Sequence, residues 1–158
     1  MDIYTDGGCA GNPGPGGWAY VVVRQTFQGA SVLAEAKGAE GATTNNRMEL
    51  LAVISALKAL GGFEDVPRQI TVHTDSQYVQ KGITEWIHTW KKNAWRTSDK
   101  KPVKNQDLWK ELDALAGEFI LRWQWVRGHA GNVYNERCDQ LAQEAISAYT
   151  KGGGRKPV

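Results

Sequence analysis

The stretch IYTDGGCAGNPGPGGW, residues 3–18, places a carboxylate directly after a short apolar run and before a loop rich in glycine and proline. The alternation of apolar and polar residues predicts a strand over residues 2–8, with Asp6 near its carboxyl end. Backbone N–H groups in a glycine loop can bind phosphate, which a neighbouring aspartate would repel. The two features fit one site only if a cation lies between the aspartate and the phosphate.

A second stretch, VHTD at residues 72–75, repeats the order of apolar residue, ring, threonine and aspartate that IYTD shows at residues 3–6. Between the two, residues 44–60 carry apolar side chains at helical spacing. If the two strands are parallel neighbours joined by a crossover that contains this helix, Asp6 and Asp75 lie at the same edge of the sheet. Open α/β sheets bind their ligands at that edge.

Two further acids lie on predicted helices, Glu49 in the crossover helix and Asp139 in the last helix. On a projection of ~100° per residue, Glu49 lies roughly 80° and Asp139 roughly 100° from the centre of its helix's apolar stripe. Taken one at a time, these four acids could instead serve as turn, capping or solvated residues. Together they predict a divalent-metal site, because closely spaced carboxylates repel one another without a cation.

The order of the predicted elements is βββαβαααβα, which indicates an α/β fold. We expect a five-stranded mixed sheet, with three antiparallel strands followed by two parallel strands, flanked by helices. The predicted strands are 2–8, 16–25, 29–37, 68–75 and 118–126, and the predicted helices are 44–60, a short one from residue 76, 84–91, 105–116 and 135–148. A single domain would cover residues 1–149, and the tail 150–158 is predicted to be disordered.

The composition is that of an ordinary globular protein. The chain has 158 residues, of which 23% are charged, with a net charge of +2, and this length suits one domain. No apolar run approaches the ~18 residues of a membrane span, and no signal-peptide pattern opens the chain. The two cysteines lack C-x-x-C spacing, so we expect a reducing, cytoplasmic setting. We also expect a monomer, since no sequence feature indicates an oligomer.

Charge is distributed unevenly along the chain. Residues 81–104 carry seven lysines and arginines but only two acids, and tryptophans lie among them. On a chain of almost neutral net charge, a basic segment with interleaved aromatic residues indicates a surface that binds nucleic acid.

The glycine loop also matches a short dinucleotide-binding pattern, since residues 14–19 read G-x-G-x-x-A. That pattern must open a helix, and here a valine-rich strand follows. The chain also lacks the G-x-x-x-x-G-K-[ST] pattern of P-loop proteins. We therefore expect the glycines to allow a tight turn whose N–H groups face a phosphate backbone.

These stretches resemble the bacterial type 1 enzymes of the ribonuclease H family. The resemblance runs in order from about residue 3 to residue 142 and covers nearly the whole chain. It is carried by YTDGGCAGNPGPGGW, TTNNRMELLA, HTDSQYV, GITEWIHTWKKNAWRTSDKKPVKNQDLW and WVRGHAGNVYNERCDQLA. It implies the mixed sheet already predicted, with the basic segment 81–104 as a helical protrusion that we call the handle.

The resemblance implies a set of site residues, position by position. Asp6, Glu49, Asp75 and Asp139 match the family's four metal-binding carboxylates, and His129 matches its mobile catalytic histidine. The residues that match contacts to the hybrid, chiefly in its minor groove, are Cys9, Asn12, Asn45, Asn46 and Gln77, with Asn135 as a further candidate. The handle residues that match a grip on the DNA strand are Trp86, Trp90, Lys91, Lys92, Trp95, Lys100 and Lys101. Core packing is the alternative role for the tryptophans.

The implied activity is internal hydrolysis of the RNA strand of an RNA–DNA hybrid, leaving 5′-phosphate and 3′-hydroxyl ends. We expect two Mg²⁺ ions, roughly 4 Å apart, in the active site during catalysis. Mn²⁺ should substitute, because both ions prefer oxygen ligands in octahedral geometry. His129 would transfer a proton or help product leave, near its ordinary pKa of ~6.5.

One stretch departs from the family pattern, because Asn132-Val133-Tyr134 follows Gly131 where familiar relatives continue with histidine and proline. This bears on the loop before the last helix.

Two other classes of function stay open. Integrase-like nucleases share an acidic cluster on this kind of sheet but act on DNA only, and a non-catalytic module would bind nucleic acid through the basic segment alone. The amide-rich segment 43–46 and the handle favour the hybrid, and the four acids argue against the module.

Overall fold

A computed structural model describes residues 1–126 and 132–153 of the chain. Its sheet has five strands, β1 (Asp2–Cys9), β2 (Gly14–Thr26), β3 (Gly29–Thr43), β4 (Gln69–Thr74) and β5 (Ile120–Trp125). Their order across the sheet is β3-β2-β1-β4-β5. The first three strands pair antiparallel, whereas β4 is parallel to both β1 and β5. The predicted mixed sheet is therefore confirmed.

The helices in the described ranges are α1 (Asn45–Leu60), α2 (Gln77–Lys81), α3 (Ile87–Lys92), α4 (Gln106–Ala116) and α5 (Val133–Ala148). A π-helical turn, Gly82–Trp86, joins α2 to α3, and another, Tyr149–Gly153, follows α5. The first residues of the tail predicted to be disordered are thus helical, and residues 154–158 lie outside the described ranges. Among the described helices, none is long and apolar enough to cross a membrane.

Two strands extend beyond their predicted ends because their glycines continue the pairing. Cys9 at the end of β1 pairs with Gly16 of β2. The strand β3 continues through Gly38, where a Cβ atom would lie 2.4 Å from the ring of Trp18. This glycine marks a position where an aromatic ring covers the strand, and the prediction that the strand ends near residue 37 was wrong.

The core lies on both faces of the central strands. Ile3 joins a cluster with residues of α1 and α4, and the next residue, Tyr4, joins a second cluster with residues of α5. Burying each such side chain contributes roughly 1.5–3 kcal/mol. Because helices cover β1 on both sides, its carboxyl end, which carries Asp6, is held firmly between α1 and α5.

Candidate active site

The two strand-end aspartates meet at one edge of the sheet. In the parallel pairing of β1 with β4, Tyr4 lies opposite His73, and two residues further along each strand come Asp6 and Asp75. One carboxylate oxygen from each of Asp6, Glu49 and Asp75 lies within 4.8 Å of the others. The predicted juxtaposition of these three acids is confirmed.

A glycine brings the helix that carries Glu49 against β1. A Cβ atom on Gly7 would lie 2.4 Å from the carbonyl carbon of Met48 and 2.5 Å from the backbone nitrogen of Glu49. Only glycine permits this approach of strand and helix. The Gly7 N–H also donates to Oδ1 of Asp6 at 3.0 Å. Gly7 thus sets both the orientation of one acid and the distance to another.

The electrostatics of Asp6 show that the acids repel one another. Burial raises the pKa of Asp6 from 3.8 to about 8, and the charges of Asp75 and Asp139 add to the increase. The hydrogen bond from Gly7 opposes the increase. A carboxyl group in this environment holds its proton at neutral pH unless a positive charge replaces it.

Glu49 shows the same effect to a smaller extent. Burial raises its pKa from 4.5 to about 7, and the charge of Asp75 adds to this, whereas a hydrogen bond from the Ser76 side chain lowers it. The Ser76 hydroxyl also accepts from Val79 N at 3.1 Å and so caps α2. One serine therefore ties the start of α2 to the acid on α1.

The fourth predicted acid, Asp139, reaches the cluster from α5. It interacts with Asp6 through both charge and a side-chain hydrogen bond. The helix can lie close to the sheet because Gly17 has no side chain. A Cβ atom at this position would be only 2.6 Å from the Ala142 carbonyl oxygen. The Cys138 thiol lies 3.2 Å from the Tyr4 carbonyl oxygen. These contacts place Asp139 beside Asp6, although it falls outside the set of three mutually close acids.

The arrangement fits a divalent metal ion. Carboxylate oxygens are the ligands that hard cations such as Mg²⁺ and Mn²⁺ prefer. Three of them converge, and the raised pKa values of Asp6 and Glu49 record the like-charge repulsion and burial that a cation would relieve. The donor set thus matches the chemistry that the sequence predicts.

The glycine loop is joined to the amino end of α1. The backbone N–H of Asn45 donates to Asn12 Oδ1 at 3.2 Å. The Cys9 thiol lies 3.1 Å from the Gly14 carbonyl oxygen and 3.3 Å from that of Thr43. These contacts hold three of the predicted hybrid-contacting residues on one continuous surface.

Exposure separates the predicted contact residues into two groups. Asn12, Asn45, Asn46 and Gln77 are exposed, so their side-chain amides are accessible to a duplex. Asn135, in contrast, is 6% exposed in the first turn of α5, where its N–H donates to Asn132 Oδ1 at 3.0 Å. It presents little surface to a ligand.

The handle tryptophans also differ in exposure. Trp86 is 38% exposed, whereas Trp90 and Trp95 are half-buried and pack against the main core cluster. Lys92, Lys100 and Lys101 are exposed, as predicted for a basic surface. Lys91 is exposed too, but its ammonium group lies 3.2 Å from the Asp113 carboxylate.

Several residues that the sequence reasoning passed over support the site. Ser76 contacts Glu49, and the Trp125 indole N–H donates to the Asp75 carbonyl oxygen at 3.1 Å. Their positions in the sequence could have indicated this role, because Ser76 directly follows the strand-end aspartate and Trp125 ends the neighbouring parallel strand. The predicted catalytic His129 lies outside the described residues.

Comparison with known proteins gives a consistent family. The RNase H family model matches residues 1–147. A curated Ribonuclease H from Treponema denticola is 53% identical over 155 residues, covering 92% of this chain and 96% of that protein. Another, from Phenylobacterium zucineum, is 56% identical over 145 residues, covering 92% of this chain and 89% of that protein.

Solved structures share the fold. LC9-RNase H1, described as a type 1 RNase H with the type 2 active-site motif, matches with a TM-score of 0.81 and 34% identity, covering 93% of this chain and 72% of that chain. LC11-RNase H1, solved in complex with an RNA/DNA hybrid, matches with a TM-score of 0.73 and 27% identity, covering 94% of this chain and 98% of that chain.

Proposed function

The chain belongs to the RNase H family of enzymes, and from that premise we propose that it cleaves the RNA strand of RNA–DNA hybrids internally, leaving 5′-phosphate and 3′-hydroxyl ends. The observation that carries the proposal is the cluster of Asp6, Glu49 and Asp75 at the carboxyl ends of two parallel strands, within 4.8 Å of one another. The hybrid-bound structure of LC11-RNase H1 supports the choice of substrate.

We assign the metal-binding role to Asp6, Glu49, Asp75 and Asp139, with two Mg²⁺ ions during catalysis and Mn²⁺ as a substitute. When bound, such ions activate a water molecule and stabilise charge on the leaving oxygen. The chain's own contribution is to hold the acids in place. Gly7 orients Asp6 through its N–H, and the Ser76 hydroxyl orients Glu49.

Substrate choice follows from chemistry at the amide-lined surface. A hybrid exposes 2′-hydroxyl groups in its minor groove, and only the RNA strand carries them. The exposed amides of Asn12, Asn45 and Gln77 can both donate to and accept from a hydroxyl. On the other strand, the lysines of the handle would contact phosphates, which position the duplex without reading its sequence.

His129 stays a predicted proton carrier or aid to product release, because histidine is the side chain whose unperturbed charge changes near neutral pH. A cytoplasmic, monomeric enzyme likewise stays a prediction from the sequence. The two cysteines, Cys9 and Cys138, are free thiols in the structure.

The test is cleavage of four end-labelled substrates, RNA–DNA, RNA–RNA, DNA–DNA and single-stranded RNA, with Mg²⁺ or with EDTA. We expect metal-dependent loss of the RNA strand from the hybrid alone. Cleavage of DNA would instead place the activity in the integrase-like class, and binding without cleavage would leave only a recognition module. The matched control is Asp6→Asn, which should bind the hybrid but not cleave it.

A further inference from the structure

We propose that the rings of Tyr4, His73 and Tyr134 are positioning groups, which hold Asp139 of α5 beside Asp6 and so set the affinity of the acidic edge for Mg²⁺. We call these three side chains the ring cluster. The inference rests on the proposed function, because it concerns how the chain supports the metal ligands assigned there.

The first two rings of the cluster join the two strands that carry aspartates. Tyr4 of β1 and His73 of β4 are paired across the parallel strands, and their rings stack with centroids 4.2 Å apart and planes 9° apart. Asp6 follows Tyr4 by two residues, and Asp75 follows His73 by two. Alternate residues of a strand share one face of the sheet. The stack therefore fixes the two strands to each other one step behind their acids.

A carboxylate at the start of β1 holds the histidine ring in this stack. His73 Nε2 lies 2.8 Å from Asp2 Oδ1, and only 15% of the His73 side chain and 19% of the Asp2 side chain are exposed. An ionised carboxylate can only accept, so the Nε2–H of the ring is the donor. The imidazole is thus held from two sides, by the ring of Tyr4 and by the carboxylate of Asp2.

The third ring joins α5 to the same point. Tyr134 lies in the first turn of α5, and its ring centroid is 5.1 Å from that of Tyr4. One turn further along, the Cys138 thiol lies 3.2 Å from the Tyr4 carbonyl oxygen. Asp139 follows Cys138 directly. One residue of β1 therefore contacts α5 through both its ring and its backbone, next to the fourth acid.

The beginning of α5 is fixed to the ring cluster by an asparagine. Asn132 Oδ1 accepts from Tyr134 N–H at 2.9 Å and from Asn135 N–H at 3.0 Å, and so caps the helix. Burial raises the pKa of Tyr4, and a hydrogen bond from the Asn132 side chain opposes this increase. Asn132 and Tyr134 both belong to the stretch that departs from the family pattern, and these contacts give that stretch a role.

Asp139 depends on such support more than the other acids do. Oxygens of Asp6, Glu49 and Asp75 lie within 4.8 Å of one another, whereas Asp139 is outside that set. The charge of Asp139 nevertheless acts on Asp6, and two ionised carboxylates repel each other. Contacts elsewhere on α5 must therefore hold Asp139 in place, and the ring cluster supplies them nearest to the acid.

The experiment compares Tyr134→Leu and Asp2→Ala with the wild type. Tyr134→Leu removes a ring but keeps an apolar side chain, and Asp2→Ala removes the acceptor of the His73 Nε2–H. Tyr134→Phe, which keeps the ring, is the conservative variant. The control for general destabilisation is Leu115→Ala, because Leu115 of α4 packs in the core cluster on the other side of the sheet.

Mg²⁺ affinity is measured without substrate, from the increase in the free energy of urea unfolding with Mg²⁺ concentration. We expect Tyr134→Leu to weaken Mg²⁺ binding about tenfold, the lower end of what loss of a residue behind a metal ligand costs. Asp2→Ala should weaken it by a smaller factor, because the three rings remain. Tyr134→Phe should bind Mg²⁺ as the wild type does, and Leu115→Ala should lose stability in EDTA but keep the Mg²⁺ affinity.

A double variant tests whether the ring cluster acts through Asp139. In an Asp139→Asn background, Tyr134→Leu should have no further effect on Mg²⁺ affinity, because the acid that it positions is already neutral. The Mg²⁺ concentration that gives half-maximal cleavage of the hybrid should change in parallel with the affinity. KM for the hybrid should stay unchanged, since the rings lie behind the acids and not at the amide-lined surface.

Tyr134→Leu that binds Mg²⁺ as tightly as the wild type would overturn the inference, whatever its stability, because the ring would then serve packing only. Full additivity of Tyr134→Leu with Asp139→Asn would do the same. If Tyr134→Leu does not fold, Asp2→Ala decides, and unchanged Mg²⁺ affinity in that variant counts against the inference. In all these cases a wild type that cleaves the hybrid leaves the proposed function standing. If the wild type does not cleave it, the proposed function fails, and the Mg²⁺ affinities still test the ring cluster.

Discussion

Replacing Asp6 by asparagine should stabilise the metal-free protein even though it removes a predicted metal ligand. In the folded chain, burial and the charges of Asp75 and Asp139 raise the pKa of Asp6 from 3.8 to about 8. Between these two values the unfolded chain releases the proton and the folded chain keeps it. The free energy of unfolding therefore falls as the pH rises through this range. Asparagine does not ionise, so the variant does not lose this free energy of unfolding as the pH rises.

The size of the effect follows from the pKa difference. A pKa difference of about four units corresponds to roughly 6 kcal/mol, at ~1.4 kcal/mol per unit. Asp6 is only partly buried, so water screens part of the repulsion. We therefore expect Asp6→Asn to raise the free energy of unfolding by about 2–3 kcal/mol at about pH 8, and by almost nothing at about pH 4.

The assay is urea unfolding of wild type and variant in EDTA at several pH values between about 4 and 8, repeated with Mg²⁺. Mg²⁺ should stabilise the wild type, by ~2.7 kcal/mol at a hundred times its Kd, and should stabilise Asp6→Asn less. The control is Glu35→Gln. The Arg137 side chain hydrogen-bonds Glu35 and lowers its pKa, so the sign reverses, and this variant should lose stability above about pH 4.

Three results would contradict this prediction. If Asp6→Asn were less stable than the wild type at pH 8 in EDTA, the acids would not repel in the folded chain. If its advantage did not grow with pH, the difference would come from packing and not from ionisation. Equal stabilisation of both proteins by Mg²⁺ would contradict the assignment of Asp6 as a ligand.

Three further predictions concern ligation, packing and electrostatic binding. Asp75→Asn should reduce Mg²⁺-dependent cleavage of the hybrid by ~100-fold or more, because loss of a residue that only supports a metal ligand can already cost that much. Near-normal activity of this variant would show that Asp75 is not a metal ligand. Gly7→Ala should lower the free energy of urea unfolding by about 1–3 kcal/mol, because its Cβ atom would meet the backbone of Met48, whereas Gly8→Ala, where no atom lies within 4 Å, should not. Hybrid affinity should fall steeply with salt, and Lys100→Gln should reduce the slope of log K against log salt by about one; a response that is flat for the wild type would contradict the phosphate contacts.

The sequence alone predicted the sheet and the acids because both depend on local pattern. Alternating residues predicted β1 and β4, and helical spacing predicted α1 between them. A crossover that contains a helix makes the two strands parallel, so the position of Asp6 and Asp75 at one edge follows from sequence order. The predicted ends of the strands were less accurate. In the sequence Gly38 indicates the end of a strand, whereas in the structure it lies within β3 and leaves room for the Trp18 ring.

Only the tertiary structure decided which side chains support the acids and which tryptophans face outward. Trp86 is exposed while Trp109 is fully buried, and no local pattern separates them, because burial depends on what packs there from distant parts of the chain. The same holds for the raised pKa of Asp6, since its causes include charges from β4 and α5. Residue type and periodicity are properties of a segment, whereas burial, hydrogen bonding and charge repulsion depend on distances between segments that only folding brings together.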